Sequence, residues 1–382
     1  MNAHVSGRPH RGSGAATGAH SGASSATSGA SAATLDRPRA VLADSHGRVA
    51  RDLRVSVTDR CNLRCTYCMP AEGMDWIPGR DLLTDDEIIR LITLGVERLG
   101  IREVRFTGGE PLLRPGLADI IAATKDLRTD EGRTPDTALT TNGILLARQA
   151  DRLAAAGLDR VNVSLDSIRP ASYSLLARRD RLDDVFSGLH AADAAGFAPI
   201  KINTVLMPGQ NADQAVELLH FCLERGYQLR FIEEMPLGPK GQWLRDSMVT
   251  ADRILEDLGE EFDLSPSPEP RGDAPAALWD VAAGVGKHTG TAHRGGEVGI
   301  IASVTRPFCG ACDRTRLTSD GAIRNCLFSR GERPLRDLMR DGASDDDLAA
   351  AWLGEMAAKR PGHGMDDPSF LQPDRGMSAI GG

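Results

Sequence analysis

Apolar and polar positions along residues 52–232 follow one rhythm repeated six times. Leu53-Arg54-Val55-Ser56-Val57 alternates with the period of two that belongs to a half-buried strand. Thr84-Asp85-Asp86-Glu87 is a capping box, and Ile88, Ile89, Leu91, Ile92 and Leu94 carry one apolar helix face on to about Leu99. Strand Val104–Phe106 and helix 116–126 follow, then strand Ala138–Thr140, helix 145–156 and strand 160–165. Helix 182–195, strand 200–206, a helix capped by Asn211 and ending near Arg225, and strand 228–232 complete the series. Strand–helix alternation of this kind predicts a parallel sheet with right-handed crossovers. Six repeats are fewer than a closed barrel uses, so the expected class is α/β, an incomplete (β/α)6 TIM-type barrel. An open doubly wound sheet has the same periodicity.

Outside the repeats the pattern changes. Residues 1–36 are Gly, Ser, Ala and Thr with no hydrophobic period, too apolar-poor to offset the entropy of ordering, and are expected to be disordered. Residues 262–295, rich in Pro, Asp and Gly, read as irregular structure or a boundary; Glu297–Val304 resumes a strand pattern, and beyond about 332 the chain is helical and charged. The expected division is a tail at 1–47, a partial barrel at 48–260 and a C-terminal domain at 261–382. Thr129–Pro135 lengthens one connection and is expected to be a surface insertion.

In either fold the polar residues at strand ends share one face. Cys61, Gly109, Thr140, Ser164 and Met235 fall at or just after the C-terminal ends of strands, where parallel α/β folds place their sites, and Lys201 lies within the fifth strand.

Three thiols fall within eight residues at Cys61, Cys65 and Cys68. A loop so short can aim all three at one point, and thiolates select zinc or iron–sulfur. Three protein ligands leave a cubane with one open iron, which is how a catalytic metal site differs from a closed one. Cys309, Cys312 and Cys326 form a second set of three; alone it suggests zinc, with His288 or His293 as a further ligand. Beside an open iron–sulfur motif it suggests a second cluster. Cys222 lies on the apolar face of a predicted helix and reads as core. Arg314-Thr315-Arg316 offers forked donors suited to phosphate, and Arg54, Arg105 and Lys201 add charge at the same mouth.

Composition narrows the partners. A net charge of −8 argues against general nucleic-acid binding, though a local arginine cluster can still attract an anionic small molecule. No run reaches the roughly eighteen apolar residues of a membrane span. Seven cysteines gathered mostly in two short regions do not form a disulfide framework, and the expected compartment is the reducing cytoplasm.

The C-x-x-x-C-x-x-C motif with Tyr67 before its last cysteine resembles the radical S-adenosylmethionine enzymes. The second cysteine set, the R-x-R just after its pair, the strand-end motifs and the terminal Gly381-Gly382 narrow this. From about Arg51 onward the chain resembles the molybdenum cofactor biosynthesis protein A family.

The resemblance implies a GTP 3′,8-cyclase activity with two 4Fe–4S clusters and S-adenosylmethionine. Cys61, Cys65 and Cys68 would hold the first cluster, with Tyr67, Gly109, Ser164 and Met235 around the sulfonium cofactor. Cys309, Cys312 and Cys326 would hold the second, whose open iron meets guanine. Arg54, Arg105, Thr140, Lys201, Arg314, Thr315 and Arg316 would bind GTP, with Arg54, Arg314 and Arg316 nearest the reaction. A 5′-deoxyadenosyl radical would take the C3′ hydrogen, and C3′ would bond to C8 of guanine. The Gly-Gly end would reach toward the active site. The implied partners are an electron donor of flavodoxin or ferredoxin type and, downstream, cyclic pyranopterin monophosphate synthase; the chain would be a monomer or homodimer. The competing readings are a peptide-modifying maturase of the same superfamily and a non-catalytic zinc-binding interaction protein.

Overall fold

The alternation of strands and helices folds as a single curved sheet, seen in a computed structural model that describes residues 40–367 and 370–381. The expected disordered tail lies, up to residue 39, outside the described residues, as does Gly382. Residues 40–47, expected to belong to that tail, are packed: Leu42 is fully buried and Ala43 bridges Val49.

The six expected strands are β1 (Asp52–Ser56), β2 (Glu103–Thr107), β3 (Asp136–Thr141), β4 (Arg160–Ser164), β5 (Lys201–Val205) and β6 (Gln228–Ile232). All pair in parallel, in chain order. Between them run α1 (Asp85–Thr93), α2 (Leu117–Lys125), α3 (Ala150–Ala155), α4 (Pro170–Ala177), α5 (Leu182–Ala194) and α6 (Ala215–Arg225). The capping box forms: Thr84 accepts from the Glu87 N–H and Glu87 from the Thr84 N–H. Asn211 does not cap α6. Its amide donates to the carbonyls of Asp166 and Val205, tying the ends of β4 and β5 together.

The sheet does not stop at residue 260. After α7 (Ala251–Glu261), residues expected to be irregular form β7 (Leu264–Pro266), β8 (Ala277–Val281) and a small ribbon of β9 (Gly284–Val285) and β10 (Ala292–His293). Next, β11 (Gly296–Ile301) joins β6 in parallel and β8 antiparallel. At the opposite edge β12 (Arg314–Leu317) runs parallel to β1, followed by β13 (Ala322–Arg324) and β14 (Arg333–Pro334). The chain closes with α8 (Leu335–Arg340), α9 (Asp345–Ala357) and α10 (Met377–Ile380). Turn-rich composition hid β8, whose partner is recruited only in three dimensions.

Thr129–Pro135 lies at the surface, as expected, with residues 131–134 exposed, and it is anchored there. Asp130 pairs with Arg51 at 3.0 Å and with Arg102 at 2.8 Å, pinning the segment below β1 and β2. Leu, Ile and Val side chains on the outer sheet face pack under the helices, and Cys222 is fully buried among them, as expected. The inner face is different. Side chains from β1 to β6 and from β11 and β12 line one cavity, so the sheet curls into an open barrel.

Candidate active site

The loop after β1 carries the first cysteines. Arg64 and Thr66 donate backbone N–H groups to the Ala177 and Leu176 carbonyls, anchoring it on the end of α4. Cys68 and Met69 N–H both turn back to the Cys65 carbonyl. The thiols of Cys61, Cys65 and Cys68 thereby face one cavity. Cys61 Sγ accepts from the Leu63 N–H at 3.5 Å and from Asn142 Nδ2 at 3.9 Å. Burial raises all three thiols, Cys65 well above the usual thiol range and Cys68 to about 12, with neighbouring acidic groups adding to burial. Three mutually repelling thiolates ask for a cation to share.

Gly108 and Gly109 explain how β2 meets this loop. A Cβ on Gly109 would lie 2.3 Å from the Arg60 carbonyl oxygen, and one on Gly108 would lie 2.4 Å from that of Thr58. Only glycine allows the backbone so close. Glu110, buried behind them, accepts from Thr141 Oγ1 at 2.7 Å and from the Asn142 N–H at 2.8 Å, holding the end of β3 against the loop. Burial pushes its carboxyl up to about 7 against those hydrogen bonds. Tyr67 gives its hydroxyl to Asp166 at 2.8 Å, and Asp166 accepts the Val205 N–H at 2.9 Å. Burial raises Asp166 to about 6. Ser164 and Met235 also reach the cavity.

On the far wall, Cys309 and Cys312 bracket a single 3-10 turn, and Cys326 follows β13. All three line the same cavity as the first set. Arg48 donates to the Cys309 carbonyl at 2.7 Å. Lys359 Nζ donates to the Cys312 carbonyl at 3.0 Å and lies 3.4 Å from its Sγ. Burial would raise Cys312, yet Lys359 and Arg314 bring it below the ordinary thiol range. His288 and His293 are not here. His293 packs edge-on against Phe262 at 5.1 Å, on the β9–β10 ribbon; His363, not singled out in the sequence, lines the cavity instead.

Among the described residues no three His, Cys, Asp or Glu groups are placed to hold a single ion. A cubane differs, because each thiolate binds its own iron and the sulfurs stand wider apart. Two sets of three cavity-facing thiols fit two such clusters.

Between the sets lies a basic layer. Arg54, Arg105, Arg230, Arg314 and Arg316 all line the cavity. The Nε atoms of Arg54, Arg105, Arg230 and Arg314 are buried without a hydrogen-bond partner among the described residues. Burial and mutual repulsion pull Arg54 down to about 9, and Arg230 and Arg316 to about 10. A desolvated layer of like charge favours a polyanion. Asp52 is its internal counter-ion; burial raises its carboxyl, but Arg54, Arg105, Arg314 and Arg316 hold it below the usual range. Arg316 also donates to the Gly381 carbonyl, so the C-terminal end does enter the site.

Thr140 lines the cavity as expected. Two expected contacts stand elsewhere. Thr315 alternates to the outer face, where its hydroxyl accepts from Trp352 Nε1 at 3.1 Å, so its side chain does not reach the substrate cavity. Lys201 begins β5, outside the cavity wall, and its depressed pKa of about 8 comes from burial and then from Arg230, Arg160 and Arg105. Arg230 and Asp52 were missed, although each shares the inward parity of a residue that was found: Asp52 precedes Arg54 by two, and Arg230 follows Gln228, the register partner of Lys201. No local signal marks Lys359.

Comparison with known proteins agrees with this geometry. Residues 55–222 match the Radical SAM superfamily and residues 227–365 match Molybdenum Cofactor Synthesis C. A GTP 3′,8-cyclase of Corynebacterium glutamicum is 61% identical over 342 residues, covering 90% of this chain and 89% of that protein. One from Streptomyces coelicolor is 57% identical, covering 90% of this chain and 96% of that protein. Among solved structures, Streptococcus suis SuiB bound to S-adenosylmethionine aligns with a TM-score of 0.54 at 15% identity, covering 85% of this chain and 69% of that one, which shows a shared fold. With sequence identity of this extent and both cysteine sets in one barrel, the chain belongs to the GTP 3′,8-cyclase family of the radical S-adenosylmethionine superfamily.

Proposed function

We infer that the chain is a radical S-adenosylmethionine lyase that converts GTP to (8S)-3′,8-cyclo-7,8-dihydroguanosine 5′-triphosphate, the first step of molybdenum cofactor synthesis. One observation carries this reading: two sets of three thiols face a single cavity with an arginine layer between them. When bound, a 4Fe–4S cluster with S-adenosylmethionine supplies a carbon-centred radical, and the remaining work falls to the protein's own residues.

Cys61, Cys65 and Cys68 would hold the first cluster, while Gly109, Ser164, Met235 and the Tyr67 backbone border the cofactor's space. The Tyr67–Asp166–Val205 chain of hydrogen bonds fixes that wall. Cys309, Cys312 and Cys326 would hold the second cluster beside the guanine. Arg54, Arg105, Arg314 and Arg316, with Arg230 now added, neutralise the triphosphate, and Thr140 offers a hydroxyl. Positioning and exclusion of water are what such a site contributes. Residues 48–260 supply the radical half of the site, and the chain beyond supplies the guanine-binding half.

The reading requires six reduced thiols and a one-electron donor of flavodoxin or ferredoxin type, which together favour the cytoplasm. Among the described residues no helix is long and apolar enough to cross a membrane. The product would pass to cyclic pyranopterin monophosphate synthase, and the enzyme would act as a monomer or homodimer. Anaerobic protein with S-adenosylmethionine, dithionite and GTP deuterated at C3′ tests the reaction. Deuterium in 5′-deoxyadenosine, together with a cyclised nucleotide, is expected; 5′-deoxyadenosine formation that depends on a peptide rather than GTP would exclude it.

A further inference from the structure

Lys359 lies two residues beyond α9 and is 3% exposed, a rare location for an ammonium group. Its three N–H donors are all used. They go to the Cys312 carbonyl at 3.0 Å, the Cys312 Sγ at 3.4 Å and the Arg314 carbonyl at 2.9 Å. None goes to a carboxylate. A buried charge without an opposite charge is strongly disfavoured, so some anion must answer it. The group in contact that can carry negative charge is the Cys312 sulfur. Arg314 adds a second cation, with Nη1 3.8 Å from the same sulfur.

The first cysteine set has different surroundings. Cys61 Sγ receives a backbone N–H and an asparagine amide, both neutral donors. Asp166, hydrogen-bonded to Tyr67, adds negative charge beside Cys65. Arg64 stands near the first set, but it donates to the Cys61 and Leu63 carbonyls and not to a sulfur. A cation donates to a thiol sulfur at Cys312, whereas the Cys61 sulfur receives only neutral donors. Outer-shell hydrogen bonds and charges of this kind tune an iron–sulfur centre as much as its ligands do.

We propose that Lys359 is the electrostatic partner of the second cluster: its ammonium compensates the charge on Cys312 and raises the reduction potential of that cluster alone. Each one-electron reduction adds a negative charge to the cluster, and a cation bonded to one of its thiolates favours the reduced form. The same side chain ties Cys312 to the start of β12, the strand that carries Arg314 and Arg316. Lys359 is a positioning and tuning residue, not one that touches substrate. The inference rests on the second-cluster reading.

The test is an EPR-monitored redox titration of reconstituted full-length enzyme, with iron analysis, on wild type, Lys359→Gln and Lys359→Arg. Wild type should carry about eight irons. Lys359→Gln should move the midpoint of the second cluster to lower potential and leave the first where it was. Lys359→Arg, which keeps the charge, should retain most of the wild-type midpoint. If Gln loses about half the iron while Arg keeps it, the charge is confirmed as what the second site needs. An unchanged midpoint in Lys359→Gln with about eight irons overturns the proposal, as does equal loss of iron in both variants, which would make the position one of packing. Wild type with only about four irons would overturn the second cluster itself, and with it any role for Lys359 there.

Discussion

Asp52 on β1 and Arg314 on β12 are register partners on adjacent parallel strands, with Oδ2 3.6 Å from Nε. The same carboxylate lies 3.6 Å from Arg54 and 4.0 Å from Arg105, so one buried anion spaces three buried guanidinium groups. Without it the basic layer would face itself. Asp52→Ala should therefore destabilise the apoprotein by about 3–5 kcal/mol in chemical denaturation. Added GTP should recover more of that loss than it adds to wild type. An unchanged denaturation midpoint would remove Asp52 from this role.

The two cysteine sets are separable by substitution. Cys326→Ala should halve the iron from about eight to about four per chain. S-adenosylmethionine cleavage should survive and GTP cyclisation should be lost. Cyclised nucleotide from a four-iron variant would show that the second set has no part in the reaction.

Lys201 makes a pH prediction. Its pKa of about 8, set by burial and nearby arginines, leaves it charged below that value and neutral above. Lys201 stands outside the cavity and acts only through the field it shares with Arg230 and Arg105, which line it. A triphosphate held by those arginines raises its pKa, so affinity is full below about pH 8 and weakens as pH rises through it. The KM for GTP should rise on that limb in wild type, and Lys201→Arg should move the limb to higher pH. Identical limbs in both proteins would place the titration elsewhere.

Gly381 occupies left-handed backbone space at φ +70°. A Cβ there would lie 3.0 Å from Thr107 Cγ2 and 3.1 Å from Ser56 Cβ, between the ends of β1 and β2. Replacing it with alanine costs roughly 1–2 kcal/mol of backbone strain and releases Arg316 from its carbonyl. The expected result is a drop in kcat/KM of about tenfold, with iron content unchanged. Normal turnover by Gly381→Ala would mean that the C-terminal end is a bystander.

Much of this protein is determined locally. Strand and helix periods fix β1 to β6 and the helices between them except α4, which the sequence pattern did not mark, because alternation and amphipathicity are properties of neighbouring residues. The Cys61–Cys68 set declares its chemistry for the same reason: spacings of four and three residues bring the sulfurs together, whereas Cys326 joins Cys309 and Cys312 from fourteen residues on, across the β12–β13 pair. The Gly-Gly step after β2 was legible as a motif, though the close approach that requires it was not.

Other features depended on which strands became neighbours. Thr315 and Lys201 looked equivalent to the arginines around them, but strand parity turned Thr315 outward toward Trp352, and Lys201, though it shares the inward parity of Asn203 and Val205, opens β5 below the residues that line the cavity. Arg230 and Asp52 joined the site because the sheet curls, and β8 and β11 extended a sheet whose edge no local pattern marks. Lys359 reaches Cys312 across 47 positions. Residue types and short spacings settled what chemistry this chain could perform. Only tertiary structure decided which charges face one another, because a barrel's interior is assembled from register and stagger between strands far apart in sequence.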